Sequence, residues 1–363
     1  MSRRIAIVGA GMAGASLAAL IAGQDAVVLL EAEAHPGFHA TGRSAAFWSE
    51  TYGGPGVQPL TSASGPFLKD PGPEFGNMSF LSKRGELMIA PATDATSLEA
   101  FAARFEGSGI AMRREDAALR VPGLKGAWQG LWMPSCADID VARLHGAFLT
   151  RARRLGAVLR CDSALLKARR SGGAWQLRLA DGETLTVDVL VNAAGAWADR
   201  VAQLAGAEPV GIQPYRRTMV QLRVDPPAPA GLPVVMDAAG GFYFKPEPGG
   251  RVWLTPHDET AVEAGDVAAE EIDVALAIDR MQRVVDWRVE AVERRWAGLR
   301  SFAPDRLPVY GWDPRIEGLF WCAGQGGFGI QTAPAGAALC AALLNRGQMP
   351  RGVDADLYRP GRF

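Results

Sequence analysis

The chain of 363 residues is long for a single compact core and favours two domains. Its 38 Lys and Arg residues almost balance its 39 Asp and Glu residues, which argues against a nucleic-acid-binding protein. A hydrophobic fraction of 48% and a charged fraction of 21% are typical of a globular protein with a sizeable buried core.

Cysteine usage and the N-terminal segment bear on the compartment. The four cysteines lie far apart and form no Cys-x-x-Cys pair, which predicts reduced thiols. Ser2-Arg3-Arg4 before an apolar run imitates a targeting signal, but the run contains three glycines and continues into another strand. We therefore expect no transmembrane segment and a cytoplasmic location, with peripheral attachment to the inner membrane as the alternative.

The four histidines do not suggest a metal site. His35 and His39 are four residues apart, but Pro36 and Gly37 between them would break the helix that such a ligand pair needs. The sequence therefore predicts no metal.

Residues 5–31 read as strand, glycine turn, helix, strand and acid. Gly9 permits a tight turn, Gly11 lets a pyrophosphate approach the backbone, and Gly14 lets the helix pack against the sheet. Glu31 can accept hydrogen bonds from both ribose hydroxyls and would repel a 2′-phosphate, which favours FAD or NAD over NADP. The residues assigned to the cofactor here are Gly9, Gly11, Met12, Ala13, Gly14, Glu31 and Ala32.

A loop of small residues follows, and it either closes over the cofactor or forms a plain solvated turn. Arg43 and Ser44 can contact phosphate or ribityl oxygens. The cofactor candidates in this loop are Thr41, Gly42, Arg43, Ser44 and Ala45. Residues 51–76 are rich in Gly and Pro, which predicts a lid with residues 52–56 as its most mobile part.

The middle of the chain alternates strands and helices. A strand begins at Glu86, helices are predicted at residues 97–105 and after Asp140, and a three-stranded meander spans residues 164–187. Residues 189–199 form a buried strand that ends in small residues, where an open α/β sheet admits ligands. The cofactor candidates there are Ala194, Gly195 and Trp197.

The sequence of the second half of the chain predicts another sheet, followed by a glycine-rich segment before a last helix. Residues 215–224 alternate as a strand. A helix over residues 268–289 is expected to carry Ile272, Ala275, Leu276, Ile278 and Val285 inward. A helix over residues 334–344, capped by Thr332, would offer its positive end to a negative charge such as that of a reduced flavin. The cofactor candidates here are Gly326, Gly327, Gly329, Ile330, Gln331 and Thr332.

Five segments together resemble a known family: GAGMAGAS, ATGRSAAF, VNAAGAWAD, GLRSFAPDRLPVYG and GQGGFGIQT. In order and spacing they resemble the FAD-dependent D-amino-acid oxidase superfamily, and within it the bacterial D-arginine dehydrogenases. The resemblance covers nearly the whole chain and implies an α/β fold. The fold that the resemblance implies has two domains. One is a Rossmann-type FAD domain (1–50, 138–208 and 296–363), and the other is an α+β substrate domain on a mixed or antiparallel sheet (51–137 and 209–295).

The resemblance also implies hydride transfer from the Cα of a D-amino acid to flavin N5, giving an imino acid that water converts to a 2-oxo acid and ammonia. Arg217 and Arg300 match the residues that clamp the substrate carboxylate, with Arg300 also near the cofactor. The other matched site residues are Tyr243 as a hydrogen-bond donor, Tyr52 in the lid, Glu86 for a cationic substrate side chain, and Gly327 facing the substrate nitrogen.

Two departures qualify these expectations. The related dehydrogenases carry a histidine where this chain has Phe47, which would favour hydrophobic or aromatic substrate side chains. No cysteine lies beside Arg300 of the kind that tethers flavin, and Cys322 falls on a predicted buried strand, so we expect noncovalent FAD.

Other functions remain open at this level. A glycine or sarcosine oxidase fits the same segments, and so does a 2-hydroxy-acid dehydrogenase, although that enzyme would need a base that Phe47 cannot supply. A noncatalytic flavin-binding protein is the third alternative. The electron acceptor, whether quinone, dye or oxygen, and the preferred side chain are not encoded in these motifs.

Overall fold

The computed structural model describes residues 2–363, except for the side chain of residue 95. The helices of this part of the chain are α1 (Met12–Ile21), α2 (Gln58–Lys69), α3 (Ala95–Ala103), α4 (Val141–Arg154), α5 (Ala198–Leu204), α6 (Glu271–Val284) and α7 (Gly329–Asn345). None of these described helices combines the length and the apolar character that a membrane crossing requires.

The strands of the first half are β1 (Arg4–Val8), β2 (Ala26–Leu30), β3 (Phe47–Trp48), β4 (Leu81–Lys83), β5 (Glu86–Pro91), β6 (Arg113–Asp116), β7 (Trp128–Met133), β8 (Ala137–Ile139), β9 (Val158–Arg160), β10 (Leu165–Ser171), β11 (Ala174–Leu179) and β12 (Thr184–Val187). Those of the second half are β13 (Val189–Asn192), β14 (Gln213–Asp225), β15 (Val234–Asp237), β16 (Tyr243–Glu247), β17 (Arg251–Thr255), β18 (Thr260–Ala261), β19 (Arg288–Phe302), β20 (Val309–Trp312), β21 (Leu319–Ala323) and β22 (Gln325–Gly326).

The first sheet has the strand order β20-β21-β13-β1-β2-β9. Its strands run parallel except for β20, which is antiparallel to β21. Side chains alternate between its faces, so Ile5 and Ile7 pack with α1, α4 and α7, whereas Ala6 and Val8 pack with α5 and the β10–β12 meander. A parallel sheet covered on both faces is the expected result of strands that are apolar throughout.

The second sheet has the order β22-β19-β14-β17-β16-β15-β5-β7-β6, and β18 pairs beside β14. Its pairs are antiparallel except for β5 with β15, so the sheet is mixed. On one face Val220 and Leu222 of β14 pack against α6, and on the other Met219 packs with Tyr243. The two sheets confirm the predicted α/β class with a second, mixed sheet.

Several predicted elements have different boundaries. A helix, α2, occupies residues 58–69 of the stretch predicted as a lid, because Leu60 and Leu68 are fully buried in the core that α2 shares with α7. The long helix is limited to α6, with Ile272 69% exposed. The prediction was wrong for Ile272, Ala275 and Leu276, which are exposed, since α6 instead buries Val274, Ala277, Met281 and Val284.

The last helix begins earlier than predicted, at Gly329 instead of Pro334. Thr332 therefore does not cap it, and its hydroxyl donates a hydrogen bond to the Phe328 carbonyl, one turn back along the same helix. Asp140, by contrast, caps α4 as predicted, because its side chain accepts a hydrogen bond from the Arg143 N–H.

Candidate active site

The glycine turn between β1 and α1 is packed too tightly for side chains. Gly9 has φ +102°, and a Cβ there would overlap the Ala193 carbonyl. A Cβ on Gly14 would overlap the Gly9 carbonyl, so Gly14 allows α1 to approach the turn. Gly11 precedes α1 without a side-chain cap of its own, and the Met12 N–H donates to Thr41 Oγ1 at 2.9 Å. The backbone at the start of α1 thus faces the loop that was predicted to close over a cofactor.

Glu31 follows β2 at the adjacent strand end. Its Oε2 accepts a hydrogen bond from the Ala10 N–H at 3.0 Å, and its Oε1 accepts one from the Glu33 N–H at 3.1 Å. Each carboxylate oxygen retains a lone pair for a ligand hydroxyl. The acid is therefore held in place by the backbone on both sides.

A cavity of about 470 Å³ runs from this turn to the second sheet, and we call it the first cavity. The predicted residues that line it are Gly9, Gly11, Met12, Ala13, Glu31, Ala32, Thr41, Arg43, Ser44, Ala45, Tyr52, Ala194, Gly195, Trp197, Arg217, Tyr243, Arg300, Gly326, Gly327, Gly329, Ile330 and Gln331. Three predicted residues, Gly14, Gly42 and Thr332, do not line this cavity. Gly42 instead donates a backbone hydrogen bond to the Gly37 carbonyl. Sequence reasoning missed other lining residues, among them Ser163, Arg200 and Met219.

The composition of this cavity fits an adenine dinucleotide. Its walls provide a glycine turn at a helix N-terminus, an acid with free lone pairs, and a second helix start at Gly329. Among residues 2–363, no group of three or more His, Cys, Asp and Glu side chains is arranged to hold a metal ion.

Arg217 and Arg300 lie at the far end of the cavity, on neighbouring strands. Arg217 of β14 is opposite Gly298 of β19, and Arg300 is opposite Tyr215, so the two arginines are diagonal neighbours on one face. Arg217 is only 7% exposed, and burial lowers the pKa of its guanidinium, as does the nearby charge of Arg300. Its Nε donates to the Asp258 carbonyl at 2.8 Å, whereas its buried Nη1 has no hydrogen-bond partner among the described residues.

Arg300 is fixed by its neighbours. Its guanidinium lies against the backbone of Gly327, where a Cβ would overlap Nε and Nη2. Its Nη2 is 3.4 Å from the Tyr52 hydroxyl, and its Cζ lies 5.4 Å from the centre of the Phe328 ring. The predicted residues Tyr52, Gly327 and Arg300 are therefore together.

Glu259 is a site residue that sequence reasoning missed. Its Oε1 accepts hydrogen bonds from Arg300 Nη1 at 2.7 Å, Arg217 Nη2 at 3.1 Å and Arg306 Nη2 at 2.9 Å. The signal was the polar triplet His257-Asp258-Glu259, which follows strand β17 after Pro256.

Aromatic rings wall the site around Tyr52 and Tyr243. The Phe47 ring centre lies 5.1 Å from that of Tyr52 and 5.6 Å from that of Tyr243. The Tyr243 hydroxyl is 3.6 Å from the Met219 sulfur, and burial raises the pKa of this phenol. Phe47 is thus one of the aromatic side chains that surround the site, in agreement with its apolar character.

A second cavity of about 460 Å³ adjoins the first and shares Tyr52, Arg217 and Arg300 with it. Glu86, at the start of β5, lines this second cavity and is fully buried. Burial raises the pKa of its carboxyl to about 7, and the nearby Ser49 hydroxyl opposes that change. Glu86 is therefore across the arginine pair from the predicted cofactor residues.

His257 also lines the second cavity and was not foreseen. Its φ is +59°, and its Nδ1 lies 3.1 Å from the Gly240 carbonyl, an arrangement that requires the proton on Nδ1. Its buried Nε2 is left as an acceptor without a hydrogen-bond partner within residues 2–363. Burial, together with Arg217 and Arg300, lowers the pKa of the imidazole to about 3. The ring is therefore neutral at physiological pH.

Comparison with known proteins adds the family context. The model of the family described as "FAD dependent oxidoreductase" (DAO) matches residues 4–343. Glycine oxidase from Geobacillus kaustophilus is 26% identical over 221 residues, covering 60% of this chain and 56% of that protein. FAD-dependent oxidoreductase domain-containing protein 1 from Xenopus laevis is 28% identical over 183 residues, covering 45% and 36%. These matches thus span between about a third and just over half of the curated relatives' length.

Solved structures share the whole fold. Glycine oxidase from Geobacillus kaustophilus superposes with a TM-score of 0.85 at 23% identity, covering 100% of both chains. L-proline dehydrogenase from P. horikoshii gives a TM-score of 0.86 at 20% identity, covering 100% of this chain and 98% of that one. At these identities the likeness establishes the fold.

Proposed function

Because the chain belongs to the DAO family of FAD-dependent oxidoreductases, we propose that it oxidises a D-amino acid at Cα. The product is an imino acid, which water converts to a 2-oxo acid and ammonia. The cofactor is FAD, which accepts a hydride from the substrate when bound. The D configuration rests on the five segments that resemble D-amino-acid dehydrogenases.

One observation carries this proposal: two guanidinium groups on one face, the buried Arg217 and the largely buried Arg300, border a cavity next to Gly327. A pair of guanidinium forks suits a planar carboxylate, and such hydrogen bonds are strong when water is excluded. Tyr52 and Tyr243 line the same place and offer hydroxyl groups. These side chains would hold the substrate carboxylate and orient its Cα toward the cofactor.

The cofactor would be held without a covalent bond. Glu31 would accept hydrogen bonds from the ribose hydroxyls, and the start of α1 would face the pyrophosphate. The residues from Gly326 to Gln331 would approach the flavin ring. Cys322 is 2% exposed within β21, which supports noncovalent attachment.

The substrate side chain would extend into the second cavity, where Glu86 offers a carboxyl group. A cationic side chain would favour the ionised form of Glu86, whereas a neutral side chain could bind against its protonated form. The amino group needs no protein base if it arrives unprotonated. The proposal therefore admits both cationic and apolar D-amino acids.

The test is anaerobic mixing of the purified FAD-loaded protein with D- and L-amino acids, glycine and sarcosine, while flavin absorbance is followed. We expect bleaching by several D-amino acids. Bleaching by glycine or sarcosine alone would favour an amine oxidase like the similar glycine oxidase. If every D-isomer leaves the flavin oxidised, the proposal fails.

A 2-hydroxy-acid dehydrogenase is a second candidate, and the unpaired Nε2 of His257 favours it. A neutral imidazole beside the arginine pair could accept a hydrogen bond from the substrate hydroxyl, although its pKa of about 3 makes it a weak base for the hydroxyl proton. Anaerobic mixing with D- and L-2-hydroxy acids tests this reaction. Bleaching by a hydroxy acid that is lost in His257→Asn, with amino acids inert, would select this candidate.

The electron acceptor is a separate property. Stopped-flow mixing of the reduced protein with aerated buffer distinguishes an oxidase, which reoxidises rapidly, from a dehydrogenase that requires a quinone or a dye.

A further inference from the structure

Three arginines share one carboxylate at the border of the two cavities. Glu259 Oε1 lies within 3.1 Å of donors from Arg217, Arg300 and Arg306, and Glu259 Oε2 accepts a further hydrogen bond from Arg306 at 2.9 Å. We call these four side chains the arginine cluster. Asp258 is nearby, but its carboxylate accepts hydrogen bonds from the Thr218 N–H and hydroxyl at 2.8 Å and 3.0 Å. Glu259 is therefore the acid that contacts every guanidinium of the cluster.

Arg217 and Arg300 each bind Glu259 with one nitrogen of the guanidinium and keep another nitrogen without a hydrogen bond to Glu259. Arg217 uses Nη2 for Glu259, while its Nη1 is unpaired within the described chain. Arg300 uses Nη1 for Glu259, while its Nε and Nη2 lie beside Gly327, which lines the first cavity. A substrate carboxylate in the first cavity can thus bind Arg217 Nη1 and Arg300 Nε while Glu259 remains in place.

Arg306 extends the cluster toward solvent. Its side chain is 47% exposed, and its guanidinium lies 3.8 Å from the centre of the Phe302 ring. Glu259 lines the second cavity together with Arg217 and Arg300. A substrate that carries a second carboxylate into the second cavity would meet Arg217 and Arg300, each of which already donates a hydrogen bond to Glu259.

We propose that Glu259 determines specificity: it fills the position of a second carboxylate in the arginine cluster and so restricts the site to substrates with one carboxylate. This inference rests on the proposed function, because it takes the arginine pair to be the substrate-carboxylate site. A dicarboxylate must displace a fixed ion pair or bring its second charge close to that of Glu259, and both are unfavourable. A neutral or cationic side chain meets neither obstacle.

The experiment uses the FAD-loaded protein and two unreactive probes that differ by one carboxylate, propionate and succinate, with binding measured by calorimetry. In Glu259→Gln, freed guanidinium donors should strengthen succinate binding by about tenfold or more, and propionate binding by about threefold or less. Glu263→Gln is the matched control, since this exposed glutamate four residues later removes the same charge outside the arginine cluster. We expect the control to bind both probes as the unaltered protein does.

The inference is overturned if succinate binding is unchanged in Glu259→Gln, or if both probes gain by the same factor. The side chain of Glu259 is one-third exposed on a loop, which favours folding of the variant. Should Glu259→Gln lose FAD, Glu259→Ser is measured with the same expectation. Because the probes require no turnover, a selective gain for succinate without flavin reduction by any D-amino acid would uphold the role of Glu259 and refute only the proposed function.

Discussion

The backbone of Gly327 lies directly against the guanidinium of Arg300, so that a Cβ on Gly327 would overlap Arg300 Nε. Gly327→Ala should therefore displace Arg300 from the position proposed for the substrate carboxylate. We expect kcat/KM to fall by about 100-fold, because small displacements of a positioning group are costly in catalysis.

The control for Gly327→Ala is Gly146→Ala. Gly146 lies in helix α4, where an added Cβ meets nothing within 4 Å. This variant should retain full activity. Unchanged kinetics in Gly327→Ala, with FAD bound, would mean that Arg300 does not contact the substrate.

Replacing Arg217 with Lys should weaken binding of the substrate carboxylate while retaining the charge. An ammonium cannot reproduce the fork of a guanidinium, so we expect kcat/KM to drop by about 100-fold, mainly through KM. Arg216→Lys is the comparison, since Arg216 lies on the opposite face of β14 and pairs with Glu270 and Asp273. It should reduce the thermal stability and leave KM unaltered, whereas equal effects on KM would argue against a substrate role for Arg217.

Glu31→Ala should weaken FAD binding by about tenfold or more, because two charge-assisted hydrogen bonds to the ribose are lost. Once saturated with FAD, the variant should turn over at the normal rate, since Glu31 lies at the opposite end of the cavity from Arg300. Equilibrium dialysis of FAD and steady-state kinetics measure the two effects. Normal FAD affinity would contradict the assignment of Glu31.

Glu86 should make the protein less stable as the pH rises. The pKa of Glu86 is about 7 in the folded protein, against an ordinary value of 4.5, so the fold favours the neutral carboxyl. The stability that this neutral form contributes is fully present below pH 4.5 and is lost as the pH rises through 7. Relative to Glu86→Gln, the free energy of unfolding should fall by about 3 kcal/mol across this range, since a pKa change of one is worth about 1.4 kcal/mol. Denaturant titrations at several pH values give the free energy of unfolding of both proteins. If this free energy depends on pH in the same way in the unaltered protein and in Glu86→Gln, the prediction is refuted.

His257 should give the opposite pH dependence. Its pKa is about 3 in the folded protein and 6.5 as its ordinary value, so stability is fully present above pH 6.5 and is lost as the pH falls toward 3. His257→Asn should remove this loss, because an amide does not titrate, and Asn tolerates the positive φ at this position. Unfolding curves for the two proteins should diverge below pH 6.5. If they do not, the imidazole is not held in its neutral form.

The dinucleotide-binding part could be predicted because its signals are local. Gly9, Gly14 and Glu31 lie within one strand-turn-helix-strand unit, and each has a steric or hydrogen-bonding role that a short segment determines. The cap of α4 by Asp140 is likewise local. Helix α2 was missed because Pro59, Gly65 and Pro66 are helix breakers, whereas the packing of α2 against α7 stabilises it.

Long-range pairing explains what the sequence did not reveal. Glu259 and His257 reach the arginine pair only because β17 pairs beside β14, and no motif in a single chain specifies that pairing. The burial of Arg217 has the same origin, since a lone arginine on a strand is usually exposed. Ile272 illustrates the reverse error, in which an apolar residue at a plausible spacing faces solvent.

The long ladder between β14 and β19 determines how the enzyme can diversify. The two strands pair without a register shift from Gln213 to Gln221, a stretch that includes Arg217 and the partner of Arg300. A shift of one residue in the register of β14 would turn Arg217 to the opposite face of the sheet and place its neighbour in the chain on the face that carries Arg300. Insertions in the loop that carries Glu259 can reshape the second cavity while the spacing of the two arginines stays constant. If the proposed function holds, evolution or design can therefore change which side chain is accepted far more readily than the requirement for a carboxylate.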